Sequence, residues 1–439
     1  MPELLISARW VVPVEPAGTV LRDHAVAVRD GAIEAVLPAA RARERFASYE
    51  PVELESHVLI PGLVNAHTHA AMALMRGLAD DLPLMRWLEE HIWPAEAKHV
   101  SAEFVRAGTE LACAEMLLGG ITTFNDMYFF PESSLDAALA AGMRSVHGII
   151  AIEFPSAYAS DADDYLRKGL DLRDRRGGEP LASFCFAPHA PYTVSDATLK
   201  KIGTLAAELD CPVHIHLHET SDEIERSIAE HGVRPLERLA RLGLLGPGLI
   251  AVHCVHLEAE EVATLARHGA SVVHCPSSNL KLASGFSPIE ELRKKGVNVA
   301  LGTDGAASNN RLDLFQEMRT AALLAKAVSG NPEAMPAHAA LHAATLAGAQ
   351  ALGLGTRTGS IVPGKAADLV AVELAGPALL PVYDPVSHLV YAAGREDVSH
   401  VWVNGRPCVL SGKLQNPASS GLETQARMWQ NALDSNADS

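Results

Sequence analysis

Val58-Leu59-Ile60-Pro61-Gly62-Leu63-Val64-Asn65-Ala66-His67-Thr68-His69 is an apolar run that ends in two histidines two residues apart. Residues two apart on an extended strand share one face, so both imidazoles can enter one cavity and offer neutral nitrogens to one cation. The stretch reads as a buried strand that delivers half of a metal site.

Short apolar runs recur downstream at 121–125, 144–151, 181–187, 211–216, 249–253, 271–274 and 297–303, which with 58–64 makes eight strand candidates. Helical spacing separates them, as in Phe104, Ala107, Leu111, Ala114, Glu115 and Leu118, or in Leu312, Phe315, Met318 and Leu323. Gly119-Gly120 supplies a helix stop. Alternation of this kind predicts an α/β protein, a (β/α)8 barrel of the TIM type. The polar residues agree with that topology. His67, His69, Asn125, Asp126, His147, His189, His216, Glu219, His253, His274 and Asp304 are all expected at or just past the C-terminal end of a strand. Those ends, with the loops that follow them, build the active site of such a barrel.

The flanks have another texture. Leu4-Leu5-Ile6-Ser7-Ala8-Arg9 and Ala25-Val26-Ala27-Val28 alternate like strands, and Asp368-Leu369-Val370-Ala371-Val372 and Val401-Trp402-Val403-Asn404-Gly405 repeat the pattern near the other end. Two end segments of like character can pair into one small β-sandwich beside the barrel. The expected division is therefore 1–57 and 359–439 for the sandwich and tail, and 58–358 for the barrel. The tail beyond about 416, ending Asn436-Ala437-Asp438-Ser439, is expected to be a surface helix that frays.

Composition narrows the function. A chain of 439 residues, 48% hydrophobic and 20% charged, can bury one large core and a smaller one, since a single barrel commonly takes about 250 residues. Thirty-six basic against fifty-three acidic residues give a net charge of −17, which repels phosphate backbones, so no nucleic-acid partner is expected. The cysteines at 113, 185, 211, 254, 275 and 408 form no Cys-x-x-Cys pair, which fits reduced thiols in a cytoplasmic enzyme. Neither a secretory leader nor a membrane span is visible, and no membrane partner is expected. A homo-oligomer acting on a small molecule is the expectation.

A hydrolytic metal site needs several protein ligands, an open position for water and a nearby proton carrier. His216, in Val213-His214-Ile215-His216-Leu217-His218-Glu219-Thr220, and Asp304, in Ala300-Leu301-Gly302-Thr303-Asp304-Gly305, are the candidates to complete the set, because both follow apolar strands. A single histidine there is more readily a hydrogen-bonded core or rim residue. Four such positions on one rim favour a metal.

Taken together, Pro61 to His69, Leu82-Pro83-Leu84-Met85-Arg86-Trp87-Leu88, His91-Ile92-Trp93-Pro94-Ala95-Glu96, His216 to Thr220, Ala251-Val252-His253-Cys254-Val255-His256-Leu257, His274-Cys275-Pro276-Ser277-Ser278-Asn279 and Gly302 to Gly305 resemble the amidohydrolase superfamily, and within it the methylthioadenosine and S-adenosylhomocysteine deaminases. The resemblance spans essentially the whole chain. It implies that His67, His69, His216 and Asp304 hold one divalent ion, usually zinc. Strand four ends in Phe186-Ala187-Pro188-His189 with no lysine, so the carbamylated bridge of two-metal relatives is missing and one ion is expected. The resemblance further implies that Glu219 protonates the purine ring nitrogen, that His253 hydrogen-bonds the attacking water, that Asp304 takes its proton, and that Glu96 and His189 contact the nucleoside. The implied reaction is hydrolytic deamination of 5′-methylthioadenosine, with S-adenosylhomocysteine or adenosine as further substrates, to the inosine analogue and ammonia.

Neighbouring residues read more plainly. His214 and His218 share the parity of His216 but would crowd a small cation, so they are expected to be structural, and His256 and His274 to be hydrogen-bond partners on the rim. Trp87 and Trp93 either line a nucleoside pocket or anchor a loop. The other zinc deaminase architecture is absent, because Pro407-Cys408 has no second cysteine after it. Gly148 to Leu166 contains no arginine to hold an amino-acid carboxylate, whereas Ala151, Ile152, Phe154 and Tyr158 suit a methylthio group; Arg167 could reach in from its helix. Two alternatives stand beside this reading: a guanine or triazine hydrolase on the same scaffold, and a non-catalytic barrel.

Overall fold

The structure, a computed structural model, describes residues 3–416 and 421–434. The chain opens with β1 (Leu4–Val11), β2 (Leu21–Arg29), β3 (Ala32–Pro38) and β4 (Glu50–Pro61). There follow β5 (Leu63–Thr68), β6 (Ile121–Asp126), β7 (Arg144–Ala151), β8 (Ala182–Pro188), β9 (Val213–Leu217), β10 (Leu249–His253), β11 (Ser271–His274) and β12 (Asn298–Leu301). The last strands are β13 (Leu369–Glu373), β14 (Val398–Val403), β15 (Arg406–Leu410) and β16 (Lys413–Leu414).

β5 to β12 form one parallel eight-stranded sheet in sequence order. The Asp304 N–H just past β12 donates to the His67 carbonyl on β5 at 3.1 Å, joining the last strand to the first. The strands are buried on both faces almost throughout, as a barrel wrapped in helices requires. Side-chain caps start the intervening helices: Ser101 accepts from the Phe104 N–H, Asp161 from Asp164, Ser195 from Thr198 and Thr220 from Glu223. The helix Ala102–Leu118 stops at Gly119-Gly120, where Gly120 has φ of +80°.

Strands from both chain ends form the second sheet, in the order β16-β15-β14-β13-β4-β1-β2-β3. β4 is its junction, parallel to β1 on one side and antiparallel to β13 on the other. Ile6, Val26, Val28, Leu59, Leu369 and Trp402 share one buried cluster drawn from both ends of the chain. A buried ion pair between Arg144, at the start of β7, and Asp368, just before β13, ties this sheet to the barrel at 2.8 Å.

Three expectations shift. The first barrel strand is Leu63–Thr68 rather than 58–64, because Val58 to Pro61 finishes β4; the two strands meet at Gly62, where any side chain would collide with Thr122. His147 lies in the middle of β7, not at its end. Its ring packs near Phe124 and Phe184 and its Nε2 meets Ser145 Oγ at 2.8 Å. Leu312 precedes its helix, which spans Leu314–Ser329 behind an Asp313 cap, and Leu323 is exposed on it. The helix Leu422–Asp434 sets Trp429 against Phe104, while the expected tail end at 435–439 lies outside the described residues. Among the described residues, no helix is long and apolar enough to cross a membrane.

Candidate active site

β5 and β9 place the central imidazoles. Period two puts His67 inside with His69 just beyond the strand, and puts His214 and His216 on one face of β9 with Ile215 on the other. The His67 and His216 Nε2 atoms stand 3.2 Å apart. Asp304 Oδ1 lies 3.2 Å from His67 Nε2 and 3.3 Å from His69 Nε2. The outer nitrogens are already engaged: His69 Nδ1–H donates to the Met127 carbonyl at 2.6 Å, His216 Nδ1–H to the His189 carbonyl at 2.7 Å, and His67 Nδ1 meets His214 Nε2 at 2.9 Å. That pattern turns three Nε2 lone pairs toward one point.

This donor set fits a small divalent cation. Atoms bound tetrahedrally at about 2.0–2.1 Å stand about 3.3 Å from each other, and the four ligand atoms here all lie within 4.8 Å of one another. Two facing imidazole lone pairs beside a carboxylate repel unless positive charge sits between them. Burial pulls His67 down to about 4 and His216 well below the ordinary histidine value, keeping both in the neutral ligand form. His69 is opposed by burial too, yet Asp304, the Met127 carbonyl and Asp126 raise it to about 8; that proton is one a cation displaces on binding. Against its own burial, Asp304 is held well below the usual carboxylate range by His67 and His69.

Asp304 sits at φ of +60° and is pinned from three sides. Ser278 and Ser308 hydroxyls donate to its Oδ2 at 2.6 and 2.7 Å, and the Gly305 N–H donates to Oδ1 at 2.8 Å. His253 ends β10, stacks on His216 with ring centroids 5.4 Å apart, and donates from Nδ1 to Asn279 Oδ1 at 2.8 Å. Its other nitrogen faces Glu219 Oε2 at 3.8 Å. Glu219 is buried beyond β9, and burial raises its pKa. Its loop is gripped by Glu223, whose carboxylate accepts the His218 and Glu219 N–H groups at 2.9 and 2.8 Å.

The remaining expected positions surround the same cleft. Glu96, on the helix Trp93–His99, accepts the Tyr128 hydroxyl at 2.7 Å and is pushed by burial up to about 7. His189 follows β8, with Nδ1 3.1 Å from Thr193 Oγ1, and burial lowers it to about 3. Trp87 and Trp93 both line the cleft, with Leu84, Leu88, Ile150 and Ile152.

A sequence model of the amidohydrolase family matches residues 58–408. The chain belongs to the amidohydrolase family. It is 47% identical over 428 residues to a 5-methylthioadenosine/S-adenosylhomocysteine deaminase of Saccharophagus degradans, covering 98% of this chain and 96% of that one. It is 46% identical over 368 residues to a 5′-deoxyadenosine deaminase of Methanothermobacter thermautotrophicus, covering 82% and 83%. The crystal structure of an adenosine deaminase from Xanthomonas campestris with bound zinc superposes with a TM-score of 0.96 at 50% identity, covering 99% of each chain.

In this amidohydrolase the neighbouring histidines at 214, 218 and 256 have partners of their own. His218 accepts the Leu236 N–H at 3.0 Å, His256 Nε2 meets the Ser284 carbonyl at 2.7 Å, and His214 stands behind His67. His274, expected as a hydrogen-bond partner on the rim, is buried with its Nδ1 unpartnered among the described residues. Asn125 and Asp126 brace the barrel rather than the cleft: Asn125 Nδ2 donates to the Ala66 carbonyl, and Asp126 accepts the Ala70 N–H and the Ser134 hydroxyl. Sequence reasoning missed Tyr128, Tyr192, Ser308 and Glu223. Tyr128 follows Asp126 by two residues, so the strand-end rule alone could have found it, and Glu223 closes the helix-start pattern Thr220-Ser221-Asp222-Glu223; Tyr192 and Ser308 carry no motif.

Proposed function

We propose that this amidohydrolase is a metal-dependent hydrolytic deaminase of adenine nucleosides, with 5′-methylthioadenosine as its preferred substrate. The observation that carries the reading is the convergence of Glu219, His253 and Asp304 beside a three-histidine, one-aspartate donor set on the floor of an apolar cleft. The names borne by the relatives at 46–50% identity support it. Zinc in the Xanthomonas structure supports zinc as the ion held by His67, His69, His216 and Asp304. Bound there, such an ion lowers the pKa of water toward about 7.

The chain's own groups do the rest. Asp304 Oδ1, aimed at the same point as the imidazoles, takes the proton of the attacking water. His253, with Nδ1 engaged by Asn279 Oδ1, turns Nε2 toward that water for a hydrogen bond. Glu219, whose pKa burial raises, donates a proton to purine N1, so negative charge does not build on the ring as oxygen bonds to C6. Asp304 then passes its proton to the amine, ammonia departs, and the hydroxyl proton of the adduct restores Glu219. Glu96 binds the ribose hydroxyls and His189 the nucleoside.

The 5′ end meets Ile150, Ile152 and Phe154, and no lysine or arginine lines the cleft among the described residues. Arg167 stays outside, on Asp164 at 2.5 Å and Asp171 at 3.2 Å. An amino-acid carboxylate therefore has no cationic partner here, which favours methylthioadenosine over S-adenosylhomocysteine. The deciding assay follows the ultraviolet change on deamination of methylthioadenosine, S-adenosylhomocysteine, adenosine and guanine, with metal content measured on the same sample. Methylthioadenosine is expected to react with the highest kcat/KM. Equal turnover of the two thio-nucleosides would remove the substrate preference, and turnover of guanine alone would replace the deaminase of nucleosides by one of free bases.

A further inference from the structure

Beside the reaction cleft runs a second space, and the two share Trp93, Glu96, Phe129 and Phe154. Beyond that seam its walls are Ala97, Val100, Phe130, Pro155, Ala157 and Tyr158. Apart from the Glu96 carboxylate at the seam and the Tyr158 hydroxyl, the polar groups along it are committed elsewhere. Ser156 Oγ takes the Tyr158 N–H at 3.0 Å and the Tyr165 hydroxyl at 2.5 Å, while Lys168 turns away to the Tyr158 carbonyl at 2.5 Å and Asp164 at 3.1 Å. Tyr158 itself packs on Phe130 and Tyr165 with ring centroids 5.2 and 5.8 Å apart. Ala97, Pro155 and Ala157 are exposed, and Phe154 is 43% exposed, so the space is an apolar channel leading from the cleft to the surface.

We propose that this channel is a binding site for long apolar 5′-thio substituents, making adenine nucleosides with 5′-alkylthio or 5′-arylthio tails substrates as good as or better than the methylthio compound. The inference rests on the deaminase reading above. With the base at the histidine floor and the ribose hydroxyls on Glu96, the 5′ carbon is one sugar ring from the seam where Trp93 and Phe154 stand 6.3 Å apart, centroid to centroid. A single methyl reaches that seam; a longer tail passes it. Each methylene moved from water onto such walls gains about fourfold in binding. Among the described residues no lysine or arginine lines it, so the carboxylate of a zwitterionic tail of similar length finds no cationic partner there and loses by the same geometry.

The test compares 5′-methylthio-, 5′-butylthio-, 5′-hexylthio- and 5′-phenylthioadenosine with S-adenosylhomocysteine on the zinc-loaded enzyme. KM is expected to fall about tenfold or more from methyl to hexyl at constant kcat, with S-adenosylhomocysteine below all four in kcat/KM. Ala97→Trp narrows the channel and Ala157→Asp places a charge on its wall. Each is expected to erase the hexylthio advantage while methylthioadenosine turnover stays unchanged, which also reports that the variants are folded. A kcat/KM that declines steadily with tail length, or a hexylthio advantage untouched in both variants, overturns the channel and leaves the deaminase standing. Failure to deaminate any of the five nucleosides overturns both.

Discussion

The floor of the cleft takes its side chains from strand ends, His67 from β5, His216 from β9 and His253 from β10, whereas its walls come from connecting segments, Leu84 to Trp93 and Ile152 to Phe154. The floor is crowded with hydrogen bonds that fix each ring: Met127, His189, His214 and Asn279 all hold an outer nitrogen. The walls rely more on packing, with hydrogen bonds such as Tyr128 to Glu96 and the Ser195 N–H to Glu153 holding their backbone and rim. Chemistry therefore sits where the backbone is constrained by the barrel, and substrate choice sits where side chains can change without disturbing it. Changes in the floor should cost kcat, and changes in the walls should cost KM.

The severest break is Asp304→Asn. It removes the proposed ligand and proton acceptor together, so kcat should drop about 10⁴-fold or more and metal content, read by elemental analysis of the folded protein, should fall with it. Glu219→Gln should cost about 10²–10⁴-fold in kcat with metal retained, because one general acid is lost. The sign of its pH dependence is set by burial. A raised pKa keeps Glu219 protonated farther toward neutrality, so the native rate should fall on the alkaline side as it ionises, and that limb should vanish in the Gln variant. His253, Asp304, His69, Glu223 and Tyr192 are the titratable groups around it.

Milder changes sharpen the contrast. Asn279→Ala frees the His253 ring without touching the donor set, and about 10–100-fold in kcat with unchanged metal content is expected. Glu96→Ala deletes a carboxylate that lines the cleft. It should raise KM for nucleosides about tenfold while kcat moves little, measured by initial rates. If it were silent, the ribose would not be held there and a free base would become the better substrate.

The same contrast explains what could be read without coordinates. Eight strands were visible as apolar runs, and His67, His69, His216, Glu219, His253 and Asp304 could be placed because a strand end fixes both position and facing. His147 was misplaced since periodicity does not say where a strand stops, and β7 continues to Ala151. The boundary at Gly62 was blurred because β4 and β5 are consecutive apolar strands belonging to different sheets. Tyr192 and Ser308 join the site through loops and helix starts, where spacing along the chain carries no information about facing.

β4 lies between β1 and β13, so Val58 to Pro61 on one strand must wait for Leu369 to Val372 on the other. On a ribosome making about 5–20 residues per second, roughly 15 to 60 s separate the emergence of the two strands. For that interval the growing polypeptide exposes a bare, apolar strand edge, an invitation to pair with a stranger. Synthesis of the barrel in between makes this enzyme a natural client for whatever shields nascent chains in the cell.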